Sequence, residues 1–139
     1  AYRYVEALID TGAPWTSILP AGSLILQIPK RLLKRPSDVT TARVGAHSFH
    51  RYVLENIRVI LSGPGERGAH WSIVANVPHV SVLEPVGGSR EAHPMRDLPA
   101  VVGCDIISSL ELSLSFESRD FFLEVKESAP CKIIVARTS

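Results

Sequence analysis

Cysteine is scarce. Cys104 and Cys131 are the only two in the chain, too few for a disulfide framework and without the spacing of a zinc site. No apolar run approaches the roughly 18–20 residues that cross a bilayer. No leader-like segment opens the chain at Ala1, which reads as the start of an excised or processed piece. The expectation is therefore a domain with no membrane contact in this segment, its compartment left open with a cytoplasmic setting favoured. Neither sign of charge dominates: fifteen Lys and Arg face fourteen Asp and Glu, leaving a net +1. A nucleic-acid surface normally shows a clustered basic excess, so no nucleic-acid partner is expected. Internal repeats are missing too. What is present, 45% hydrophobic and 21% charged residues, is the composition of a globular chain. At roughly 100–200 residues per domain, residues 1–139 make a single domain.

Dense punctuation divides the chain into short extended segments. Tyr2 to Ile9 mixes aromatic, β-branched and polar residues and ends on Asp10-Thr11-Gly12, a strand running into a turn. Leu24 to Ile28, closed by Pro29, is too short for periodicity to separate strand from helical turn. The basic run Lys30 to Arg35 reads as a solvated loop or short helix. Thr40–Val44 and Arg51–Leu61 are two extended arms around Gly45-Ala46-His47-Ser48, a hairpin over about 40–61. Further strands are expected over Trp71–Val77, Val80–Leu83, Ala100–Val102, Leu112–Phe116, Phe121–Val125 and Ile133–Val135, with a brief helix over Ile106–Leu110. Turn-rich excursions separate them at about 62–68 and 84–99. Many short strands at turn-bounded spacing predict an all-β barrel or sandwich.

The tripeptide Asp10-Thr11-Gly12 carries the chemistry. Alone it is weak, arising by chance in roughly one chain in sixty of this length. Its context is rarer: Ala7-Leu8-Ile9 delivers the carboxylate, Ala13 follows the glycine, and Val101-Val102-Gly103 later leads into Ile106-Ile107.

On these residues, with Ser17 and Ile18, Leu112 to Phe116, and Val44-Gly45-Ala46 before Tyr52-Val53, the chain resembles the retropepsin-like aspartic proteases, single-domain relatives of pepsin. The resemblance implies a closed, orthogonal β-barrel of the acid-protease type with one short C-terminal helix. It also implies an aspartic endopeptidase. Two carboxylates held together cannot both ionise comfortably, so they share a proton and supply base and acid for attack of water on a peptide bond. This chain carries one such motif, so the second Asp10 must come from a second copy across a two-fold axis. In that reading Thr11 locks the paired loops, Gly12 places an N–H near the carboxylate, and Ala13 lets substrate pass. Val101, Val102 and Gly103 form the supporting strand; Val44, Gly45, Ala46 and His47 form the flap over an extended peptide. No cofactor and no metal is called for. The alternative is a catalytically inactive module of the same fold that dimerises or binds peptides.

Two departures from the family pattern stand out. The acidic residue two after the glycine and the arginine after the later glycine, which pair in compact viral members, are here Pro14 and Cys104. Only nine residues precede Asp10, leaving little room for the strand that usually comes before it. Among other candidates, His47, His50, His70, His79 and His93 lack a metal-ligand pattern. Asp97 reads as a loop charge, Asp105 as a helix cap, Cys104 as a small buried residue, and Trp15 and Trp71 as packing residues.

Overall fold

The computed structural model describes residues 4–64, 70–108, 110–115, 120–125 and 133–138, with side chains described up to Leu61 and over 77–108. Of the turn-rich excursion expected at about 62–68, residues 62–64 instead continue strand, while residues 65–68, like Cys131, lie outside the described residues. Nine strands are described: β1 (Leu8–Ile9), β2 (Ser17–Ile18), β3 (Thr41–Val44), β4 (His47–Pro64), β5 (His70–Pro85), β6 (Ala100–Val102), β7 (Leu110–Ser115), β8 (Asp120–Val125) and β9 (Ile133–Thr138). Two helices accompany them, α1 (Pro20–Leu26) and α2 (Cys104–Ile107), with a single 3₁₀ turn at Lys30–Leu32. The chain is thus mostly strand, as an all-β fold requires.

The strands of the main sheet run β1-β6-β2-β5-β4-β3, with β9 also paired to β5, while β7 and β8 form a separate pair. This corrects the expectation of a closed barrel: the sheet is open, with β1 and β3 at its ends. Closure needs edge strands whose ladders match in length and stagger. The two residues of β1 and four of β3 offer too few free backbone groups. The helix content also differs from the single C-terminal helix expected. The predicted helix begins earlier, at Cys104, and α1 is additional.

The local chemistry of α1 explains why it forms. Pro20 occupies its first turn, where a missing N–H costs nothing. At its end Gln27 adopts φ +54°, and the Gln27 and Ile28 N–H groups reach back to the Leu24 and Ser23 carbonyls at 3.1 and 3.0 Å. That is a Schellman closure with glutamine in the left-handed position usually given to glycine. The segment is too short for periodicity to reveal the helix, and the glycine that usually marks such an end is absent.

β5 joins two segments, Trp71–Val77 and Val80–Leu83, that the sequence pattern separates around Pro78. The proline falls between the register with β9 (His70 to Ala75) and the register with β2 (Ser81 to Val82), where its missing N–H breaks neither ladder. In β4, Asn56 takes φ +56°, a left-handed conformation that asparagine tolerates better than most residues.

The chain divides into two compact units. One comprises Ala1–Glu55 with His79–Cys104, the other Asn56–Pro78 with Asp105–Ser139. In the first, the core is built from Leu19, Phe49, Leu83 and Val101, with Ala13, Ala42, Val44, Met95 and Leu98 packed against it. The period-2 alternation of β4 turns Phe49, Arg51 and Val53 to one buried side. Arg51, only 1% exposed, is accommodated because its polar groups are used. Its Nε donates to Ser81 Oγ at 2.8 Å, its Nη1 to the Val39 carbonyl at 2.9 Å and to Asp38 Oδ1 at 3.2 Å. The guanidinium also lies 3.9 Å from the Trp15 ring centre, a cation–π contact. Lysine keeps the charge but neither the fork nor the flat stacking face. Arg51→Lys is therefore expected to lower unfolding free energy by about 1.5 kcal/mol, measured by urea denaturation.

Candidate active site

Asp10 sits where β1 ends, and the two flanks of its loop are held by one strand from far along the chain. β6 lies between β1 and β2. It pairs in parallel with β1 (Leu8 with Val101, Ile9 with Val102) and antiparallel with β2 (Ser17 with Val101, Ile18 with Ala100). Two strands only seven residues apart cannot pair as neighbours once β6 stands between them, so residues 10–16 must arch over its end. Branched, apolar Val101 and Val102 suit a strand flanked on both sides, and all of Ala100–Val102 is buried.

Three backbone N–H groups fasten the arch to the outgoing chain. The Asp10 N–H donates to the Val102 carbonyl at 3.0 Å, and the Cys104 N–H to the Ala13 carbonyl at 2.8 Å. The Gly103 N–H donates to Thr16 Oγ1 at 3.1 Å. Within the arch, the Gly12 N–H donates to Asp10 Oδ1 at 2.8 Å, and the Ala13 N–H to the Asp10 carbonyl at 3.2 Å. The Asp10 side chain therefore has one oxygen engaged by a backbone donor, an arrangement that orients a carboxylate. Asp10 is half-buried, while Thr11 and Gly12 are exposed and Ala13 packs against the core.

Gly103 is where this threading is tightest. A Cβ there would lie 2.4 and 2.5 Å from the Trp15 carbonyl carbon and oxygen and 2.8 Å from the Ala13 carbonyl oxygen. All three are backbone atoms, so only glycine lets the chain pass through the arch.

Cys104 stands where the family resemblance anticipates an arginine. Its thiol is half-exposed rather than buried, and its Sγ donates to the Thr11 carbonyl at 3.1 Å. A neutral contact thus holds the arch where an ion pair would otherwise be expected, and no charge is left stranded. Asp105 lies inside the first turn of α2 and accepts from the Ile106 N–H at 2.9 Å.

Val44, Gly45, Ala46 and His47 form the tip of the β3–β4 hairpin. Val44 pairs with His47 across the two-residue turn Gly45-Ala46. Gly45 has φ +59° and Ala46 does not share a positive φ, which makes this a type II′ turn whose first central position calls for glycine. Val44 and Ala13 pack on the same core cluster, which links the hairpin to the arch. The remaining residue, His47, meets the His93 ring edge-on with 5.3 Å between centroids.

Of residues 84–99, read from sequence as a surface excursion, Glu84 and Pro85 end β5 and the rest is tied down at several points. Arg90 pairs with Glu84 in a largely buried ion pair and donates to the Ile28 carbonyl at 2.7 Å. His93 packs on Phe49 at 4.9 Å, and Met95 and Leu98 cover the core. Contacts two or three residues apart, with no regular period, leave little trace in the sequence. Thr16, Trp15 and Arg51 were equally unmarked as parts of the site's framework. For Arg51 a signal existed: it shares strand parity with Phe49 and Val53.

A groove of about 240 Å³ is lined by Lys30, Leu33, His50, Tyr52, Glu84, Pro85, Gly88 and Arg90, and by no residue of the arch. Among the described residues, no three His, Cys, Asp or Glu side chains converge as metal ligands. No described helix is long and apolar enough to cross a membrane. No family model, curated protein or solved structure matches the chain.

Proposed function

We propose that this chain is a hydrolase of the aspartic peptidase class. In particular, it acts as a retropepsin-like endopeptidase in which two copies meet about a two-fold axis and each contributes Asp10. The observation that carries the reading is the arch itself: a carboxylate on a glycine turn, oriented by the Gly12 N–H and braced from beneath by β6. Bracing of this kind is what a reaction needs when geometry rather than a covalent nucleophile does the work. One Asp10 carboxylate accepts a proton from the attacking water while the protonated partner donates to the carbonyl oxygen. The pair titrates as a unit.

The sheet end next to Asp10 supports the second copy. Among the described residues β1 pairs with β6 alone, and Leu8 and Tyr4 beside it are 53% and 66% exposed. An edge strand carrying exposed apolar side chains is a natural place for association. The substrate is an extended peptide, with apolar side chains beside the bond that is cut, lying between the hairpin and the arch.

Light scattering combined with a peptide-cleavage assay tests this reading. The expected result is a particle of two chains that cuts apolar peptides best on the acid side of neutrality and is stopped by a statine-type transition-state mimic. A monomer at every concentration would overturn it. So would a dimer that binds peptide and cuts nothing between about pH 4 and 7.

A further inference from the structure

The β3–β4 hairpin tip and residues 86–99 meet through one histidine. His93 is half-buried, stacked at a tilt on fully buried Phe49 and edge-on to His47. Its Nδ1 accepts the Met95 backbone N–H at 3.2 Å. An imidazole nitrogen that accepts a hydrogen bond carries no proton, so this packing belongs to the neutral ring with its hydrogen on Nε2. A proton on Nδ1 would turn the acceptor into a donor aimed at another donor. It would also place a positive charge in a half-buried site beside a second imidazole. From β4 the groups facing His93 are Phe49, which is uncharged, and His47. Among the described residues, His47 is the ionisable group whose charge bears on it.

We propose that His93 is a proton-operated latch: in the neutral form it holds the tip of the β3–β4 hairpin against residues 93–98, and protonation releases that tip. The inference goes beyond the proposed catalysis and needs neither substrate nor a second copy. Burial, and to a lesser degree the charge of His47, hold the His93 imidazole below its ordinary value of 6.5. The sign follows by linkage. A released His93 binds a proton more readily than a latched one, so the latch is at full strength above 6.5 and weakens as pH falls through 6.5 toward the lower value of the latched ring. The released tip carries Val44 to His47, the residues that would close over a bound peptide in the proposed enzyme, so acidification would open that cover.

The test is amide hydrogen exchange, corrected for intrinsic rate, from about pH 8 to about pH 5. It is read at residues 44–47 and 93–96 against strand residues 80–83 of the same sample. In the parent protein, exchange at the tip should rise several-fold relative to the strand as pH falls. In His93→Phe, which keeps a ring against Phe49 but takes no proton, the ratio should be independent of pH. In His47→Phe, a histidine NMR titration should move the His93 midpoint up toward 6.5. A flat ratio in the parent would overturn the latch, as would a pH dependence that survives in His93→Phe. Neither result depends on peptide cleavage, so the latch and the proposed enzyme can fail separately.

Discussion

Replacing Asp10 with asparagine is expected to lower peptide cleavage by roughly 10²–10⁴-fold, the contribution typical of a positioned acid–base group. Asparagine cannot take a proton from water, and in a symmetric pair the substitution removes both carboxylates at once. The arch should survive. Asn Oδ1 still accepts the Gly12 N–H, and the bonds that pin the arch to β6 come from the backbone and Thr16. Thermal melting and dimer mass should therefore match the parent, separating lost chemistry from lost structure. A mixing experiment sharpens the test. If parent and Asp10→Asn chains exchange freely in equal amounts, random pairing leaves about half of the original activity, since only parent–parent pairs hold two carboxylates. Undiminished cleavage by the variant would rule out the mechanism. Activity unchanged on mixing, with exchange demonstrated, would rule out the shared site.

The second large effect is expected at Gly103. Alanine there meets three backbone atoms between 2.4 and 2.8 Å, none of which a side-chain rotation can move aside. Either the arch lifts off β6 or the β6–α2 junction shifts. Both break the Gly103–Thr16 and Cys104–Ala13 bonds. Overpacking of this kind costs about 3 kcal/mol or more, which for a chain of this size lowers the melting temperature by roughly 10 °C. Cleavage should fall as well at temperatures where the variant remains folded, because displacing the arch moves Asp10. Differential scanning calorimetry and the peptide assay check the two halves. A melting point within a degree or two of the parent would mean the threading is looser than these distances imply.

The strand character of the chain was readable because it rests on period-2 alternation and turn residues, both local properties. The hairpin turn at Gly45-Ala46 was readable for the same reason, since a left-handed residue between two extended arms calls for glycine. The expected break between Val77 and Val80 is overturned, whereas Leu24 to Ile28, open in the sequence, is settled as the end of a helix. At Pro78 the missing donor falls between two registers, so the strand continues. In α1 a glutamine does a glycine's work at the helix end, so the usual stop signal is absent. Closure of the sheet was not legible at all. It depends on which edge groups meet, and β1 and β3 lie 31 residues apart in sequence, from Ile9 to Thr41 by intervening count.

What the amino-acid order alone determined is the mostly-strand character of the chain, the glycine turn that carries Asp10, and the presence of a single such turn per chain. These follow from side-chain alternation, backbone permissiveness and simple counting, none of which needs a partner elsewhere in the fold. Only the tertiary structure decided that β6 lies between β1 and β2, that Gly103 threads the arch, that Arg51 is buried on Trp15, and that the His93 ring packs on His47 and Phe49. Each of these joins segments tens of residues apart. Contacts at that range are selected by the packing of the sheet, and local pattern, such as the strand parity of Arg51 with Phe49 and Val53, marks a buried face without naming its partner.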